Sequence, residues 1–505
     1  MKFDSLAAVD LGSNSFHLQI GRVVDGQIYP HDSLREPVRL GAGLTRDKRI
    51  DRATQLRALE ALSRFGERLR GFPKAAVRVV GTNALRVAKN APQFLAEAEA
   101  VLGFPIEVIF GREEARLIYA GVAHGLSIPR EPGERRLVVD IGGGSTECII
   151  GTGLEPLLME SLHIGCVSAS LRFFPEGRID KQGFKQAELA ARGEVQTLVE
   201  PYRELGWSEA IGSSGTAKSL AGILQANGWT EQGITLDGLD KLRTQLLRAG
   251  DIAHIDIAGV RGDRGEILPG GCAIMWAVFS ELGIEQMALS EGALRQGVLY
   301  DMIGRIQHQD MREVTVGQFM RRYHVDAAQA ARVGGLARQL QSGLAAGAEP
   351  PPEADTMVLG WAAALHEIGV SIAHTGYHKH SAYVLSNADM PGFSQMEQSR
   401  LARVVLAHRG KLAKLEGLAP GSADWNLIFC LRTAVLFYRS RTERALPTLV
   451  CRATGAGYQL ALPQGWLDEH PLTAAALDAE MDEWRGLGLR FELKEFSAEK
   501  LRAAG

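Results

Sequence analysis

Residues 137–151 read L-V-V-D-I-G-G-G-S-T-E-C-I-I-G, so that three consecutive glycines interrupt a run of apolar and β-branched residues. Apolar, β-branched runs favour strands, whereas glycine weakens a strand interior. The stretch therefore predicts a strand, a tight turn and a second strand, with Asp140 before the turn and Glu147 after it. A turn without side chains lets backbone N–H groups approach an anion closely, at an entropic cost for each glycine.

A similar pattern occurs near the N-terminus. Residues 9–15 read V-D-L-G-S-N-S and residues 139–145 read V-D-I-G-G-G-S. Both stretches lie between segments that are typical of strands. The repeat predicts a duplicated fold in which one hairpin turn from each lobe faces a shared cleft. One such turn is equally well explained as a plain hairpin, but two matching turns, each preceded by an aspartate, favour a phosphate site.

The polar residues around these turns are those that a phosphate site with a cation requires. Serine, threonine and asparagine add donors to the backbone N–H groups. Asp10 and Asp140 end the strands that enter the turns, where a divalent cation could neutralise phosphate charge. A third turn, at residues 210–216, lies between a short strand and a helix and is predicted to be a further phosphate loop. The predicted phosphate-binding residues of the three turns are Ser13, Asn14, Ser15, Gly142, Gly143, Gly144, Ser145, Thr146, Ser213, Ser214, Gly215 and Thr216.

The chain is long enough for several domains, because it has 505 residues and one domain typically has about 100–200. Strand and helix patterns alternate up to about residue 305, which predicts an α/β fold. Helical patterns follow up to about residue 445. A hairpin at residues 446–465 and a helix at residues 471–486 are predicted after them.

The composition is that of an ordinary soluble globular protein, with 46% hydrophobic and 23% charged residues. The net charge of −3 argues against an overall basic surface for nucleic acid. The five cysteines include no C-x-x-C pair, which fits a reducing compartment better than a disulfide scaffold or a zinc site. No uncharged apolar run reaches the ~18 residues of a membrane span, and the N-terminus has no apolar signal core. We therefore expect a cytoplasmic protein that binds neither nucleic acid nor membrane.

Seven motifs, in this order, resemble the exopolyphosphatase/guanosine pentaphosphate phosphohydrolase (Ppx/GppA) family of the actin–sugar kinase–Hsp70 superfamily. They are D-L-G-S-N-S-F, G-T-N-A-L-R-V-A-K-N, G-R-E-E-A-R-L-I-Y-A-G-V, V-V-D-I-G-G-G-S-T-E, H-I-G-C-V-S, G-S-S-G-T and L-S-E-G-A-L-R-Q-G-V-L-Y. All of them lie in the first 305 residues. The resemblance implies two actin-like (ribonuclease H-like) α/β lobes with a cleft, at residues 1–125 and 126–305. It also implies an all-α HD-like domain at 306–445 and a small α+β domain at 446–505.

The resemblance implies removal of terminal phosphate from a chain of phosphoanhydrides, with Mg²⁺ or another divalent cation. It assigns Glu114, in R-E-E-A-R, as the catalytic glutamate that activates water. Asp140, which we also expect to be catalytic, and Glu147 match the acids that hold the metal directly or through water. Asp10, at the end of the first strand, is the third predicted metal residue.

Two more residues are implied to contact phosphate, namely Asn83 and Arg86 of T-N-A-L-R. This set suits phosphoanhydride hydrolysis, which needs an in-line water, a proton acceptor and charge to offset the anionic oxygens. Taken alone, the same residues have simpler explanations. Glu113 and Glu114 also fit the solvated start of a helix, and Asn83 and Arg86 fit a helix cap and a surface charge.

The predicted helical segment holds more than half of the histidines and resembles an HD-type phosphohydrolase domain. His366-Glu367 stands where such a domain has a His-Asp dyad, and the longer glutamate arm misplaces the carboxylate, so no second catalytic metal centre is expected. Basic residues of this segment are predicted to line a channel for long polyphosphate, with ordinary surface charges as the alternative. The channel residues are His378, Lys379, His380, Arg409, Lys411 and Lys414.

The leading functional hypothesis is a processive exopolyphosphatase in which Glu114 activates water. The alternative is a guanosine pentaphosphate (pppGpp) 5′-phosphohydrolase that gives ppGpp, or both activities together. The H-K-H cluster favours polyphosphate, whereas L-P-Q-G-W-L near the C-terminus resembles the pentaphosphate branch. An actin-like kinase and a non-catalytic alarmone sensor are less favoured, because no acceptor pocket is recognisable and both Glu114 and Asp140 are present. The family also implies a homodimer.

Overall fold

The computed structural model describes residues 3–24, 26–126, 133–260, 262–306, 310–346, 349–415, 417–443 and 445–497. The chain forms two compact units. The first contains the chain up to Met311 together with Pro391–Gln395, and the second contains Arg312–Met390 and the chain from Met396 onward. The division into four domains that we expect from the sequence stays a prediction.

The first lobe of the first unit is built on a five-stranded mixed sheet. Its elements are β1 (Ser5–Leu11), β2 (Phe16–Val24), β3 (Gln27–Glu36), α1 (Arg52–Arg68), β4 (Val77–Gly81), α2 (Asn83–Val87), α3 (Ala91–Leu102), β5 (Ile106–Val108) and α4 (Gly111–Gly125). The strand order is β3-β2-β1-β4-β5. β1 pairs antiparallel with β2 and parallel with β4, so the predicted strand–turn–strand around Asp10 is confirmed.

Residues 6–9 of β1 are buried on both faces of this sheet, as their uninterrupted apolar sequence requires. Ala7 and Val9 pack in the core that α1 and α3 cover. Leu6 and Ala8 point to the opposite face and pack in a second core with α4. The helix-forming run after β4 is divided into α2 and α3, because Pro92 occupies the first turn of α3, where a proline without an N–H group is tolerated.

The second lobe repeats this arrangement on a six-stranded mixed sheet. Its elements are β6 (Arg135–Ile141), β7 (Thr146–Thr152), β8 (Glu155–Leu162), α5 (Cys166–Phe173), α6 (Lys181–Leu205), β9 (Glu209–Gly212), α7 (Gly215–Ala226), β10 (Ile234–Thr235), α8 (Leu236–Ala249), α9 (Gly262–Gly265), α10 (Leu268–Leu282), β11 (Gln286–Leu289) and α11 (Leu294–Ile306). The strand order is β10-β11-β9-β6-β7-β8. β6 pairs antiparallel with β7 and parallel with β9, as β1 does with β2 and β4. The duplication that the repeated motif predicts is confirmed.

Helices α4 and α11 join the two lobes through a shared apolar core. Val80 of the first sheet and Val138 of the second belong to the same buried cluster as residues of both helices. The helices approach so closely that a Cβ on Gly297 would stand 1.7 Å from the Leu117 carbonyl oxygen. A Cβ on Gly121 would stand 2.1 Å from the Ala293 carbonyl oxygen. These glycines allow the close packing that holds the lobes around their cleft.

The second unit is helical up to residue 437 and ends in a small sheet. Its elements are α12 (Met311–Arg322), α13 (Ala327–Leu344), α14 (Glu353–Leu365), α15 (Tyr377–Asn387), α16 (Gln395–Ala407), α17 (Asp424–Phe437), β12 (Val450–Thr454), β13 (Gly457–Pro463), α18 (Trp466–Glu469), α19 (Pro471–Arg485) and β14 (Arg490–Phe496). The predicted hairpin is β12 and β13, and the predicted helix is α19, so both are confirmed. β14, which adds parallel to β13, was not predicted.

An aromatic cluster packs α17 against this sheet. The rings of Phe429 and Tyr458 stack at 4.2 Å, and Phe491 and Trp484 contact Phe429 edge-on. Such pairs contribute beyond their buried area. The likeness of the helical part to an HD domain stays a prediction. Over the described ranges, no helix has the length and apolar character needed to cross a membrane.

Candidate active site

The two repeated turns meet in a cleft of about 250 Å³ in the first unit. A Cβ on Gly143 would stand 2.9 Å from Cβ of Ser13, and a Cβ on Gly144 would stand 2.3 Å from Oδ1 of Asn83. Neither glycine has a positive φ. The glycines are therefore required for space between the two lobes, and not for an unusual backbone conformation.

The hydrogen bonds of the second turn fix its shape, and the N–H of Gly142 donates to the Ser145 carbonyl oxygen at 2.9 Å. The carbonyl oxygens of Gly142 and Gly143 accept N–H groups from the start of α5, at 2.9 Å from Cys166 N and 3.0 Å from Val167 N. Among the residues that the structure describes, the N–H groups of Gly143 and Gly144 donate to none. A fixed turn with unbonded N–H groups is suited to an anion.

Most of the predicted phosphate-binding residues line this cleft, but two do not. The hydroxyl of Thr146 donates to the Ile164 carbonyl oxygen at 2.6 Å, so its hydrogen bond is made inside the second lobe. Arg86 donates to Glu114 rather than facing the cleft. The residues that do line it are Ser13, Asn14, Ser15, Asn83, Gly142, Gly143, Gly144, Ser145, Ser213, Ser214, Gly215 and Thr216.

Several hydroxyls of the third turn already have partners that fix the loop. Oγ of Ser213 donates to Oδ2 of Asp140 at 2.5 Å. Oγ of Ser214 accepts the N–H of Ala217 at 3.0 Å and thereby caps α7. Oγ1 of Thr216 donates to the Ile141 carbonyl oxygen at 2.9 Å. The third turn therefore holds Asp140 and the second turn in place.

Glu114 lies in the first turn of α4 and lines the cleft. Its Oε2 is 3.2 Å from Nη1 of Arg86, which also donates to the Ile109 carbonyl oxygen at 2.8 Å. Burial raises the pKa of Glu114; the Arg86 charge opposes this, and the nearby Asp140 adds to it. A carboxylate whose pKa is raised, held beside a guanidinium in a cleft, has the properties of a general base.

Glu113 has a different environment from its neighbour Glu114. It is 2% exposed and accepts two hydrogen bonds from Arg116, both at 2.8 Å. Arg116 also contacts Asp301 at 2.5 Å, and Asp301 accepts from Arg78 at 2.6 Å. The structure thus assigns Glu113 to a buried ion network between α4, α11 and β4, whereas Glu114 faces the cleft.

We expect Asp301→Asn to destabilise the folded protein by about 3–5 kcal/mol, because it leaves buried guanidinium groups without their shared carboxylate. Three arginines hold the pKa of Asp301 well below its ordinary range, although its burial opposes this. The stabilisation is therefore present at neutral pH and is lost as pH falls below the ordinary carboxyl range. Thermal unfolding at pH 7.5 measures it, and the difference from wild type should persist down to about pH 4 and shrink only below it.

The matched control for this network is Asp237→Asn. Asp237 forms an exposed pair with Lys241, and such pairs contribute at most about 1 kcal/mol. A shift of unfolding temperature for Asp301→Asn no larger than that of Asp237→Asn would contradict the assigned role of the network.

Three acids that we predict to hold a metal lie close to Glu114, but only two of them line the cleft. Asp10 and Asp140 do so, whereas Glu147 is 1% exposed and does not. Burial raises the pKa of Asp10 to about 7, and Arg295 opposes that rise. Burial also raises the pKa of Asp140. The pKa of Glu147 is raised well above its ordinary value by burial and by the charges of Glu114 and Asp140.

These acids fit a divalent cation, although they do not form a complete protein cage. In the ranges that the structure describes, no group of three or more His, Cys, Asp or Glu side chains is arranged to hold a metal. Mg²⁺, however, typically takes one or two carboxylates and completes its shell with water and substrate phosphate. Oδ1 of Asp10 is buried without a hydrogen-bond partner, and a cation beside it and Asp140 would offset the cost of burying these two carboxylates in their ionised form.

We expect Mg²⁺ to raise the unfolding temperature of this protein more at pH 8 than at pH 5.5. The pKa of Asp10 in the folded protein is about 7, above its ordinary value, so ionising this acid destabilises the fold as pH rises from ~4 through 7. At pH 8 a bound cation offsets the charge of the ionised Asp10. At pH 5.5 Asp10 is mostly protonated in the folded protein, so the cation stabilises the fold less. Calorimetry with Mg²⁺ or EDTA at both pH values measures the difference.

The control variant for the cation is Asp10→Asn. It should unfold at a higher temperature than wild type in EDTA at pH 8 and should gain less from Mg²⁺. Equal Mg²⁺ effects at the two pH values would show that these acids do not bind the cation.

Four basic residues that line the cleft were not predicted from the sequence. Lys218, Arg264 and Arg295 are three of them, and the Arg264 guanidinium lies against the third turn, since a Cβ on Gly215 would stand 2.4 Å from its Nη2. His17 is the fourth, and burial, followed by the charges of Arg295 and other arginines, lowers its pKa to about 3. His17 is therefore neutral at physiological pH. Arg295 lies in the motif L-S-E-G-A-L-R and could have been found, whereas no pattern marks Arg264.

In the second unit, some of the predicted channel residues lie together. A Cβ on Gly410 would stand 3.4 Å from both Nε2 of His378 and Nζ of Lys414, and Lys414 also donates to the Arg409 carbonyl oxygen. Burial, assisted by Lys414 and other cations, lowers the pKa of His378 to about 4, so its imidazole is neutral near pH 7. Burial also lowers the pKa of Lys414, to about 8.

Arg409 and Lys411 line a cavity of about 620 Å³ in the same unit. His378, Lys379, His380 and Lys414 are not among the residues that line it. Glu367, which stands in the place of the HD aspartate, accepts a hydrogen bond from Nη1 of Arg441 at 2.6 Å. His378 and Lys414 therefore lie beside the cavity, at Gly410, which lines it together with Arg409 and Lys411.

The fold and the cleft define a class of protein, the two-lobed actin-like α/β proteins with mixed sheets. A solved exopolyphosphatase from Cytophaga hutchinsonii is 26% identical, with a TM-score of 0.54, and the match covers 60% of this chain and 98% of that one. An exopolyphosphatase-like protein, 24% identical with a TM-score of 0.53, matches over 60% of this chain and 99% of its own. The second likeness supports the fold alone.

The chain belongs to the Ppx/GppA phosphatase family. The model of that family matches residues 19–306, and the model of Ppx/GppA phosphatase domain III matches residues 311–481. A guanosine-5′-triphosphate,3′-diphosphate pyrophosphatase from Aeromonas hydrophila subsp. hydrophila is 38% identical over 494 residues, which are 97% of this chain and 98% of that protein. The family membership that we predict from the sequence motifs is confirmed. Its members are phosphatases, in general dependent on divalent cations.

Proposed function

We propose that this chain hydrolyses the terminal phosphate of inorganic polyphosphate in the cleft of the first unit. The observation that carries the proposal is the position of Glu114, which lines the same cleft of about 250 Å³ as Gly143 and Gly144, whose N–H groups have no partner among the described residues. Attack on the terminal group is what the resemblance to the family implies.

The residues of the cleft have separate roles in this reaction. Glu114 accepts the proton of the attacking water, and Arg86 keeps its carboxylate oriented. The N–H groups of Gly143 and Gly144 bind phosphate oxygens, and Lys218 offsets negative charge that develops in the transition state. A divalent cation held by the cleft aspartates would supply further positive charge to the phosphate oxygens.

The second candidate substrate is pppGpp, which also ends in a phosphoanhydride. It is favoured by the Aeromonas relative, whose name specifies a guanosine-5′-triphosphate,3′-diphosphate pyrophosphatase and which matches nearly the whole chain. The Cytophaga structure, by its name an exopolyphosphatase, matches 60% of the chain. Both substrates present the same terminal group to Glu114, so the chemistry proposed for the cleft is common to them.

Phosphate release in Mg²⁺ distinguishes the two substrates. The protein is incubated with long-chain polyphosphate or with pppGpp at equal concentrations of terminal phosphate, and initial rates are compared over a range of substrate concentrations. A higher kcat/KM for polyphosphate supports the leading proposal, and a higher value for pppGpp supports the second. Release from neither substrate would contradict both.

The proposed channel predicts that basic residues of the second unit affect long chains alone. Lys379→Ala combined with Lys411→Ala should raise KM for long polyphosphate by about fivefold, equal to ~1 kcal/mol for exposed charge contacts, and should lower the salt dependence of binding. Hydrolysis of tripolyphosphate should change little. Arg452→Ala is the control, because Arg452 is an exposed arginine of β12 outside the proposed channel. Equal effects on long and short substrates would contradict the channel.

A homodimer and a cytoplasmic location stay predictions.

A further inference from the structure

Three polar residues form a row across the sheet of the second lobe. Asp140 on β6 lies directly opposite Glu147 on β7, and Glu147 lies directly opposite Ser161 on β8. Opposite residues of antiparallel strands share a face, with Cβ atoms about 4.5–5.5 Å apart. This row connects Asp140, an acid of the cleft, with Ser161. Neither the sequence motifs nor the proposed function assigns a role to Ser161.

Ser161 contacts the middle member of this row. Its Oγ donates to Oε1 of Glu147 at 2.8 Å. Glu147 is almost fully buried and lies close to two further carboxylates, Glu114 and Asp140. A buried carboxylate requires hydrogen-bond donors to stay ionised and in place. The Ser161 hydroxyl is such a donor, and it comes from a strand outside the turn.

The position of Ser161 is fixed by the start of the catalytic helix. A Cβ on Gly111, the first residue of α4, would stand 2.6 Å from both Cβ and Oγ of Ser161. Arg112, the second residue of α4, pairs with Glu160, the residue before Ser161 on β8. This ion pair also holds the start of α4 against β8. Because Glu114 lies three residues after Gly111, this serine lies between the helix that carries the proposed base and the strand that carries Glu147.

We propose that Ser161 is a positioning residue whose hydroxyl holds the Glu147 carboxylate beside Asp140 and so sets the affinity of the acid cluster for a divalent cation. The inference rests on the proposed function, because the cation serves phosphate hydrolysis. If Ser161 only satisfied a buried carboxylate, its removal would lower stability and leave cation affinity unchanged.

The test is direct binding of Mn²⁺, followed by electron paramagnetic resonance, to wild type, Ser161→Ala, Glu147→Gln and the double variant. Removing an outer-shell partner of a metal site typically weakens metal affinity by about 10–100-fold, and we expect about 10-fold for Ser161→Ala. If the hydroxyl acts through Glu147, Ser161→Ala should weaken binding no further in the Glu147→Gln background. Ser33→Ala, on exposed β3, is the matched serine control and should bind as wild type does.

Unchanged Mn²⁺ affinity in Ser161→Ala, or full additivity of the two losses, would overturn the proposal. If Glu147→Gln leaves no measurable binding, turnover decides: excess Mg²⁺ should restore the kcat of Ser161→Ala, and failure to restore it counts against the inference. Failure of the proposed function is a separate result, since wild-type protein saturated with cation would then release no phosphate from either substrate.

Discussion

Glu114→Gln is expected to lower turnover by about 100-fold or more, the size of a general-base contribution. Glutamine keeps the volume of the side chain and an oxygen that can accept the Arg86 hydrogen bond, but it cannot take a proton from water. Substrate binding should therefore change little, because the turns and cations of the cleft are untouched. Steady-state rates with a separate binding measurement distinguish the two effects.

The control for Glu114 is Glu60→Gln, which makes the same chemical change on the exposed face of α1. It should leave kcat and KM unchanged. Glu113 is unsuitable as a control, since its loss would break the buried network with Arg116. Near-normal turnover of Glu114→Gln would remove this residue from the proposed mechanism.

Gly144→Ala is expected to lower kcat/KM by about 100-fold, the cost of a displacement near 1 Å in an active site. The backbone of Gly144 can accommodate alanine, because its φ is not positive. The added Cβ would, however, stand 2.3 Å from Oδ1 of Asn83, which lines the same cleft. The variant should thus fold but separate the second turn from the first lobe. Activity assays and unfolding temperatures measure both expectations.

Gly193→Ala provides the matched glycine control. Gly193 lies inside α6, and a Cβ there would meet nothing within 4 Å. Alanine is favoured over glycine inside a helix, so this variant should gain about 0.5–1 kcal/mol of stability and keep full activity. If Gly144→Ala is as active as Gly193→Ala, the two turns do not need the close approach that the structure shows.

The duplicated hairpins could be predicted from the sequence because their signal is local. A repeated Val-Asp pair, a glycine and a serine between apolar runs define strand, turn and strand without reference to distant residues. The reason for the glycines, in contrast, is not local. The sequence predicted a bare turn for an anion, whereas the structure shows that Gly143 and Gly144 also make room for Ser13 and Asn83 of the other lobe.

The roles of neighbouring acids could not be separated by sequence alone. Glu113 and Glu114 both begin α4, and their difference depends on which face of the helix meets Arg116 and Asp301. Asp301 lies far along the chain, on α11. In the same way, the Ser161 contact with Glu147 depends on the register of β7 and β8. Such residues become visible only when tertiary structure brings them together.

Hydrolysis in water labelled with ¹⁸O tests the central claim most directly. In-line attack of a water activated by Glu114 on the terminal phosphorus predicts one ¹⁸O atom in each released phosphate and none in the shortened chain or nucleotide. The label should be followed with polyphosphate and with pppGpp in the presence of Mg²⁺. Release of labelled phosphate from at least one substrate, lost in Glu114→Gln, is the predicted result. Label in the remaining chain, or no phosphate from either substrate, would contradict it.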